Sequence, residues 1–207
     1  MRTDRRRFLL AGFAGGLLAL AGCAPGKLLS HEANPAYAGK RFDSVLVHAV
    51  AYDRVLRRVF EDRMVAALAA RGIRGVASYP LLERDGETDE ARLREVVARS
   101  GASGVMITRP GAEERATTTI AGGTVYSGTG GYGLYGYYAG VWQAVDVAPK
   151  KVGGSTWRVS STRLFDAATG EPAWMGSVQT PGGGDPVPAI QRYVDLVVAA
   201  MARDRVL

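Results

Sequence analysis

The sequence predicts an α/β (α+β) fold built on a central mixed sheet, and three observations lead to this prediction. The first half alternates apolar strand patterns with helical patterns in the order β-α-β-α-β. The second half contains two alternating runs joined by a short turn, which is typical of an antiparallel hairpin. A helix with one apolar face closes the chain. Because short β-α-β crossovers place their strands in parallel, we expect a parallel half followed by a C-terminal antiparallel hairpin.

The first half supplies the predicted parallel strands, at residues 42–50, 73–79 and 102–109. Asp53 is the expected N-cap of the first helix, which ends at Gly72. The second helix opens at residues 88–90 and stops at Ser100-Gly101. Helical spacing gives each helix a predicted buried face: Val55, Leu56, Val59, Phe60, Met64, Ala67 and Leu68 in the first, and Leu93, Val96 and Val97 in the second.

The second half supplies the hairpin and the closing helix. Strands are expected at residues 157–166 and 173–180, joined by a turn in which Gly170 provides a positive φ. After three glycines, Asp185 is the expected cap of the last helix, with Pro186 at its first position. The predicted buried face of this helix is Ile190, Tyr193, Val194, Val197 and Met201.

Residues 1–22 have the organisation of a signal peptide. Basic residues precede an apolar run at positions 8–20, which is too short to span a bilayer comfortably. The run ends in Leu20, Ala21, Gly22 and Cys23, which resembles a bacterial lipobox. Cys23 is therefore the expected lipidation site, carrying diacylglycerol and an acyl chain such as palmitate, and no other cofactor is expected. Two or more chains are needed for stable anchoring, so the mature protein is expected to be held at a membrane without crossing it.

Two features of this region bear on export and location. Arg5 and Arg6 lie in a stretch that resembles the twin-arginine motif, and the alternative is a basic n-region for the general secretion route. Ala24 follows the cysteine where an inner-membrane retention signal of the enteric type has Asp, which favours the periplasmic face of the outer membrane. We expect residues 23–40 to be a flexible tether and residues 41–207 to be a single periplasmic domain.

Charge and composition exclude several classes of function. Residues 1–22 hold four arginines and one aspartate, which leaves 22 basic and 19 acidic side chains in the mature chain. A net charge of about +3 is a poor argument for nucleic-acid binding, and none is expected. Cys23 is the only cysteine, and the histidines are His31, in the predicted tether, and His48, in an apolar strand pattern. We expect His48 to be a partly buried structural residue, and neither a metal site nor a Ser-His-Asp triad is predicted.

The lipobox, the β-α-β-α-β half and the hairpin together resemble small envelope lipoproteins of Gram-negative bacteria. The hairpin motif is the most telling part: Leu164, Phe165, Asp166, Thr169, Gly170 and Trp174. The fold of this group resembles the amino-terminal domain of TolB, shared by the penicillin-binding-protein activator LpoB and the secretion lipoprotein CsgG. The resemblance covers about residues 40–205 without the glycine- and tyrosine-rich insertion. It implies an accessory in assembly, activation or export rather than an enzyme, and fold alone does not fix function.

An insertion rich in glycine and tyrosine is expected as a loop at about residues 121–142. It follows a turn-like stretch at 110–116 and a candidate short strand at 117–120, and precedes another candidate strand at 141–147. Residues 128–133 and 131–136 match the G-x-G-x-x-G pattern. Because no helical pattern is evident after them, a phosphate-binding loop is not favoured.

Two interpretations of the insertion stay open: a passive flexible loop, or a partner-binding loop. In the second, exposed aromatic side chains would contact a glycan, a lipid headgroup layer or a protein. The candidate residues are Tyr132, Tyr135, Tyr137, Tyr138 and Trp142.

The leading functional hypothesis is a lipid-anchored binding or adaptor module with an envelope-protein or cell-wall partner. The alternative is a structural or secretion-type oligomeric envelope component of the CsgG kind. An enzyme ranks third, because its candidate carboxylate pairs, Glu113 with Glu114 and Asp166 with Glu171, are typical of a solvated pair and a hairpin turn. The oligomeric state is not predicted.

Overall fold

A mixed sheet of seven strands organises the computed structural model, which describes residues 26–51, 53–82, 89–111, 113–115, 133–143 and 156–207. The strands are β1 (Lys27–Ala33), β2 (Ser44–Ala49), β3 (Arg74–Ala77), β4 (Gly104–Arg109), β5 (Glu113–Arg115), β6 (Thr156–Asp166) and β7 (Pro172–Pro181). The helices are α1 (Arg54–Ala69), α2 (Glu90–Ser100), α3 (Gly133–Gln143) and α4 (Pro186–Arg203), with short 3₁₀ turns at Pro35–Tyr37 and Tyr79–Leu81. The predicted signal peptide, the lipobox with Cys23, and the twin-arginine pair Arg5 and Arg6 lie outside the described residues.

The strand order is β1-β7-β6-β4-β2-β3, and β5 pairs with β6 beside β4. Strand β2 runs parallel to both β3 and β4, while β4, β6, β7 and β1 pair with one another in antiparallel fashion. The predicted fold class, a mixed sheet with a parallel half and a C-terminal hairpin, is confirmed.

Two apolar clusters sandwich the sheet. On one face, α1 and α4 pack over Val45, Val47 and Met106. On the other face, α2 and α3 pack over Leu46 and Val105. This arrangement follows from the strands themselves: successive side chains of β2 alternate between the faces and are buried on both.

The predicted helix caps are confirmed. Asp53 accepts hydrogen bonds from the first amides of α1, and Asp185 does the same for α4. Helix α2 was expected to open at residues 88–90, and its cap is Asp89. Helix α2 ends at Gly101 as expected. In the part of the chain that the structure describes, no helix is both long and apolar enough to cross a membrane.

The predicted buried face of the first helix is wrong at its start. Val55 is 69% exposed, whereas Arg57 and Glu61 are buried with Phe60. Val55 lies five residues before Phe60, which places it about 140° around the helix from that side chain. Arg57, three residues before Phe60, shares its side of the helix.

The predicted tether at residues 23–40 is wrong from Lys27 onward, because β1 is an edge strand paired with β7. Leu28 and Ala33 pack against the core from this strand. His31, expected in a linker, hydrogen-bonds through Nδ1 to Asp204 Oδ2 at 2.7 Å. Pairing of β1 satisfies the outer backbone groups of β7, which would otherwise be an open edge of the hairpin.

The predicted loop at residues 121–142 is wrong over residues 133–143, which form α3. Leu134, Tyr137 and Tyr138 recur at helical spacing and are buried against the sheet. The candidate strand at 141–147 is therefore also wrong at 141–143. The remainder of both segments, and the candidate strand at 117–120, lie outside the described residues.

The turn-like stretch predicted at 110–116 contains the short strand β5. Glu113–Arg115 pairs with β6, so this part of the chain extends the sheet instead of leaving it. A three-residue strand holds too little of an alternating pattern to be predicted from sequence.

Amide hydrogen exchange on the full chain tests whether β1 belongs to the sheet. We expect the β1 amides that bond to β7 to exchange as slowly as those of the β6–β7 hairpin, because ladder amides open only with the sheet. Residues 182–184, which connect β7 to α4, serve as the rapidly exchanging control. Exchange of the β1 amides at the rate of an unstructured peptide would show that this segment is a tether after all.

Candidate functional site

An open groove of about 500 Å³ lies between α2, the start of α3 and the turn of the β6–β7 hairpin. Its wall is formed by the hairpin turn, by charged side chains of α2 and by the first residues of α3. The lining residues are Glu90, Arg94, residues 133–136 and residues 167–171. The groove is mostly polar, with one aromatic side chain, Tyr135.

The hairpin turn forms the floor of the groove and is held by Asp166. Its buried carboxylate accepts hydrogen bonds from the amides of Ala168 at 2.8 Å and Thr169 at 3.4 Å, and pairs with Lys40. Burial favours the protonated acid, but the bonds from Lys40 and the two amides outweigh it and lower the pKa of Asp166. Gly170 adopts φ +73°, as predicted for this turn.

The start of α3 is docked on this turn. The amide of Leu134 donates to the carbonyl of Gly170 at 2.6 Å. A Cβ at Gly133 would stand 3.2 Å from that carbonyl oxygen, so a larger residue would crowd the junction. The expectation that no helix follows the glycine pattern at 128–133 is wrong, since α3 begins there. One of its first amides is already bonded to Gly170 and is not available to a phosphate.

The aromatic wall of the groove is a stack of Arg94 on Tyr135. The guanidinium carbon lies 3.7 Å from the ring centroid. Glu90 holds the guanidinium through two hydrogen bonds, with Arg94 Nη2 2.6 Å and Nε 3.1 Å from its Oε1. Such a pair contributes about 0.5–1 kcal/mol at an exposed position, so it orients side chains rather than holding the fold.

The predicted partner-binding residues do not form one exposed surface. Tyr135 is half-buried and lines the groove, whereas Tyr137 and Tyr138 are buried in the core. The Tyr137 ring packs on Phe165 and under Arg163, and the Tyr138 ring lies against His48. Trp142 lies in α3, and neither its side chain nor Tyr132 is among the described parts of the structure. Arg94 and Glu90 were not predicted as site residues from the sequence. Their place in the groove depends on contact with Tyr135, which is distant from them in the chain.

A second polar cluster lies at the carboxyl ends of β2 and β3 and is enclosed. The carboxylate of Glu61 is fully buried and accepts five hydrogen bonds. The donors are the amides of Ala49, Ser78 and Tyr79, the hydroxyl of Ser78 and Nε of Arg57, at 2.7–3.1 Å. An ion pair in this setting is tolerated because every oxygen is bonded, and removing one partner leaves a charge buried alone.

His48 joins the cluster through Ser78. Because the Ser78 hydroxyl donates to Glu61, its bond to His48 Nδ1 at 2.8 Å assigns the proton to that nitrogen. Burial, with the nearby charge of Arg57, lowers the pKa of His48 to about 3. His48 was expected to be partly buried and is 1% exposed. Its other nitrogen, Nε2, has no hydrogen-bond partner among the described residues.

The chemistry open to this cluster is limited by its burial. Glu61, Ser78, His48 and Arg57 are all at most 3% exposed, so no substrate reaches them in this conformation. Serine, not histidine, occupies the central position, which differs from a nucleophilic triad. Within the described ranges, no group of three or more potential ligands could hold a metal ion. We therefore assign the cluster to stability, and the open groove is the candidate functional site.

Comparisons with known proteins add little on function. No protein-family model matches the sequence, and no curated protein matches it. Similar solved structures include PelC dodecamers from Paraburkholderia phytofirmans in two crystal forms, at 11% and 14% identity and a TM-score of 0.44. They cover 84% and 88% of this chain and 94% and 99% of theirs. Lipoprotein GNA1162 from Neisseria meningitidis is 13% identical, covers 77% of this chain and 98% of its own, and has a TM-score of 0.40.

A lipoprotein is thus among the similar structures. TM-scores this low leave the similarity too coarse to carry an argument on function. The resemblance to LpoB and CsgG that the sequence suggests stays a prediction.

Replacing Glu61 tests the role of the buried cluster. We expect Glu61→Gln to lower the free energy of unfolding by about 3–5 kcal/mol, because Arg57 is then buried without a charged partner. Urea unfolding of the full chain measures this loss. The neighbouring Asp62→Asn, on the exposed side of α1, is the matched control and should cost less than about 1 kcal/mol. Equal losses in the two variants would contradict the assignment.

The low pKa of His48 predicts a dependence of stability on pH. The ordinary pKa is 6.5, so the unfolded chain takes up a proton as the pH falls below that value, while the folded chain resists until about 3. Stability is therefore full above about pH 6.5 and declines below it, by about 1.4 kcal/mol per pH unit for one proton. His48→Asn keeps a donor for Ser78 and cannot titrate. Its unfolding free energy should fall less steeply between about pH 6.5 and 5. Parallel curves for the two proteins would contradict the prediction.

Proposed function

We propose that this chain is a lipid-anchored envelope lipoprotein, held at a membrane through Cys23, whose α/β domain is a non-catalytic binding module in the periplasm. The anchoring part is supported by the basic n-region, the apolar run and the Leu20–Cys23 tetrapeptide. Ala24 favours the periplasmic face of the outer membrane. The partner we propose is an envelope protein or a component of the cell wall.

The binding part is carried by one observation: the Arg94–Tyr135 stack on the wall of an open, polar groove. Tyrosine gives a large contact area at low cost in side-chain entropy, and here the guanidinium covers one face of its ring. The charge of Glu90 is paired with Arg94, and Glu171 adds a negative charge to the same groove. A partner that enters must therefore be polar, with hydrogen-bond donors as well as surface for the tyrosine.

The non-catalytic part is supported by the engagement of the buried carboxylates. Asp166, one of the candidate catalytic residues, pairs with Lys40 and accepts two amides of its own turn. Its low pKa favours a permanent anion rather than a proton donor. Glu61 is likewise occupied by five donors. Both carboxylates thus have a structural use, and neither is aimed at open space.

Photo-crosslinking in cells tests the proposal. A benzophenone amino acid replaces Tyr135 in the full-length protein, and the matched control carries it at Tyr79. Both tyrosines are half-buried and each has an arginine over its ring, Arg94 at 3.7 Å and Arg58 at 5.3 Å, but Tyr79 does not line the groove. We expect a discrete adduct from position 135 and none from position 79.

The identity of the adduct separates the functional classes. An envelope protein or a peptidoglycan fragment in the adduct supports the binding module. An adduct made only of copies of this chain favours the oligomeric envelope component instead. Equal labelling from both positions, or none from position 135, would contradict a binding role for the groove.

A further inference from the structure

The point where β1 begins limits how far the domain can stand from a lipidated Cys23. Lys27 is already paired with Gln179 of β7. Only three residues lie between Cys23 and Lys27, so the two Cα atoms can be at most about 14 Å apart. The expected tether of residues 23–40 would have allowed several times that reach. The domain is therefore confined to the headgroup side of whichever membrane holds the lipid.

The strand register shows which end of the domain is confined. Lys27 lies opposite Gln179, near the carboxyl end of β7, and the neighbouring pair Trp157 and Pro181 lies further out at the same end of the sheet. The chain then passes through residues 182–184 into α4. We name the surface formed by Lys27, residues 179–184 and Asp185 the anchor-proximal end.

The groove lies at the other end of the same hairpin. The part of β6 from Trp157 to Asp166 spans about 30 Å when extended. The hairpin turn that forms the groove floor follows Asp166 directly. An anchor-proximal end at the membrane would thus point the groove away from the lipid.

The anchor-proximal end carries basic side chains close to the point where the chain enters the sheet. Lys27 is exposed, and the aliphatic part of the Arg192 side chain lies close to Gly26, where the chain leaves the sheet. Asp185 adds a negative charge, but its carboxylate accepts the amide of Val187 as the cap of α4. Strand β5, Glu113–Arg115, also lies at this end, because it pairs with residues 156–158 of β6. Basic residues here outnumber acidic ones by four to three: Lys27, Arg115, Arg158 and Arg192 against Glu113, Glu114 and Asp185. Cations close to an anionic leaflet are attracted to it.

We propose that the anchor-proximal end rests on the anionic phospholipid headgroups of the membrane that holds Cys23, so that the groove faces away from that membrane. This inference depends on the proposed lipidation of Cys23. It adds an orientation and a second contact surface, which lipidation alone does not imply.

Spin labels on the full-length lipidated protein test the orientation. The protein is reconstituted in vesicles of phosphatidylethanolamine and phosphatidylglycerol. Cys23 is the only cysteine, and its sulfur is blocked by the thioether bond to diacylglycerol, so a label reacts only at an introduced thiol. Gly184→Cys places it at the anchor-proximal end, where an added Cβ meets no atom within 4 Å. Ala168→Cys, exposed in the hairpin turn, is the matched control at the groove end.

Collision with oxygen, which concentrates in lipid, and with a water-soluble nickel chelate reports the depth of each label. We expect the label at position 184 to show a lower ratio of nickel to oxygen collisions than the label at 168. Equal ratios in protein that floats with the vesicles would overturn the orientation while leaving the anchor intact. Shielding of position 184 from both agents would place a second copy of the chain there and would also overturn it. Failure to float would instead refute anchoring itself.

Charge reversal tests the headgroup contact separately. Lys27→Glu should lower the ratio of docked to undocked domain about fivefold or more on anionic vesicles. The control Arg41→Glu makes the same change on an exposed arginine before β2, at the groove end, and should have no effect. On vesicles of phosphatidylcholine alone, Lys27→Glu should also have no effect. Equal effects of the two reversals on anionic vesicles would overturn the headgroup contact.

Discussion

The packing around the carboxyl ends of β2 and β3 depends on the buried carboxylate of Glu61. Its five hydrogen bonds tie α1 to the last residue of β2 and to the segment after β3. A charge in this position could not persist without Arg57, and Ser78 links the pair to His48 on the opposite face of the sheet. The same bonds to Ser78 and Tyr79 turn the chain toward the face where Leu81 packs with α2 and α3. This one carboxylate therefore holds α1, β2 and the segment after β3 in one arrangement.

The polar groups of the molecule fall into two sets with different consequences. The Glu61 cluster is closed to solvent, and both oxygens of its carboxylate accept hydrogen bonds. It therefore stabilises the fold and favours a single arrangement of the elements around it. The Arg94–Tyr135 stack is accessible, weak and adjacent to open space, which suits recognition. If Cys23 carries the proposed lipid, the strand start at Lys27 also relates the groove to the membrane. The short lead and the long hairpin would then place the two about a strand length apart.

Sequence reasoning succeeded where the signal is local. The caps Asp53 and Asp185, the start of α2 near residues 88–90 and the turn at Gly170 are each specified by a few neighbouring residues, and all were predicted. It failed where the deciding contact is distant. Strand β1 has only Leu28 and Ala33 packed against the core, so its apolar pattern is too weak to predict a strand or its pairing with β7. Helix α3 was missed because three of its eleven residues are glycines, which disfavour the interior of a helix. Arg57 and Glu61 resemble a solvated i, i+4 pair, and the donors that permit their burial come from β2 and the segment after β3. The groove exists only once α2, α3 and the hairpin meet.

The central claim, that a periplasmic binding domain is held at a membrane by Cys23, is tested most directly by the intact mass of the mature protein purified from envelopes. The account predicts a chain that begins at Cys23 and carries the mass of diacylglycerol and an acyl chain. A Cys23→Ser protein should lack that mass and leave the membrane fraction. A wild-type chain without lipid, or one whose first residue lies elsewhere, would contradict the anchoring and with it the orientation of the groove.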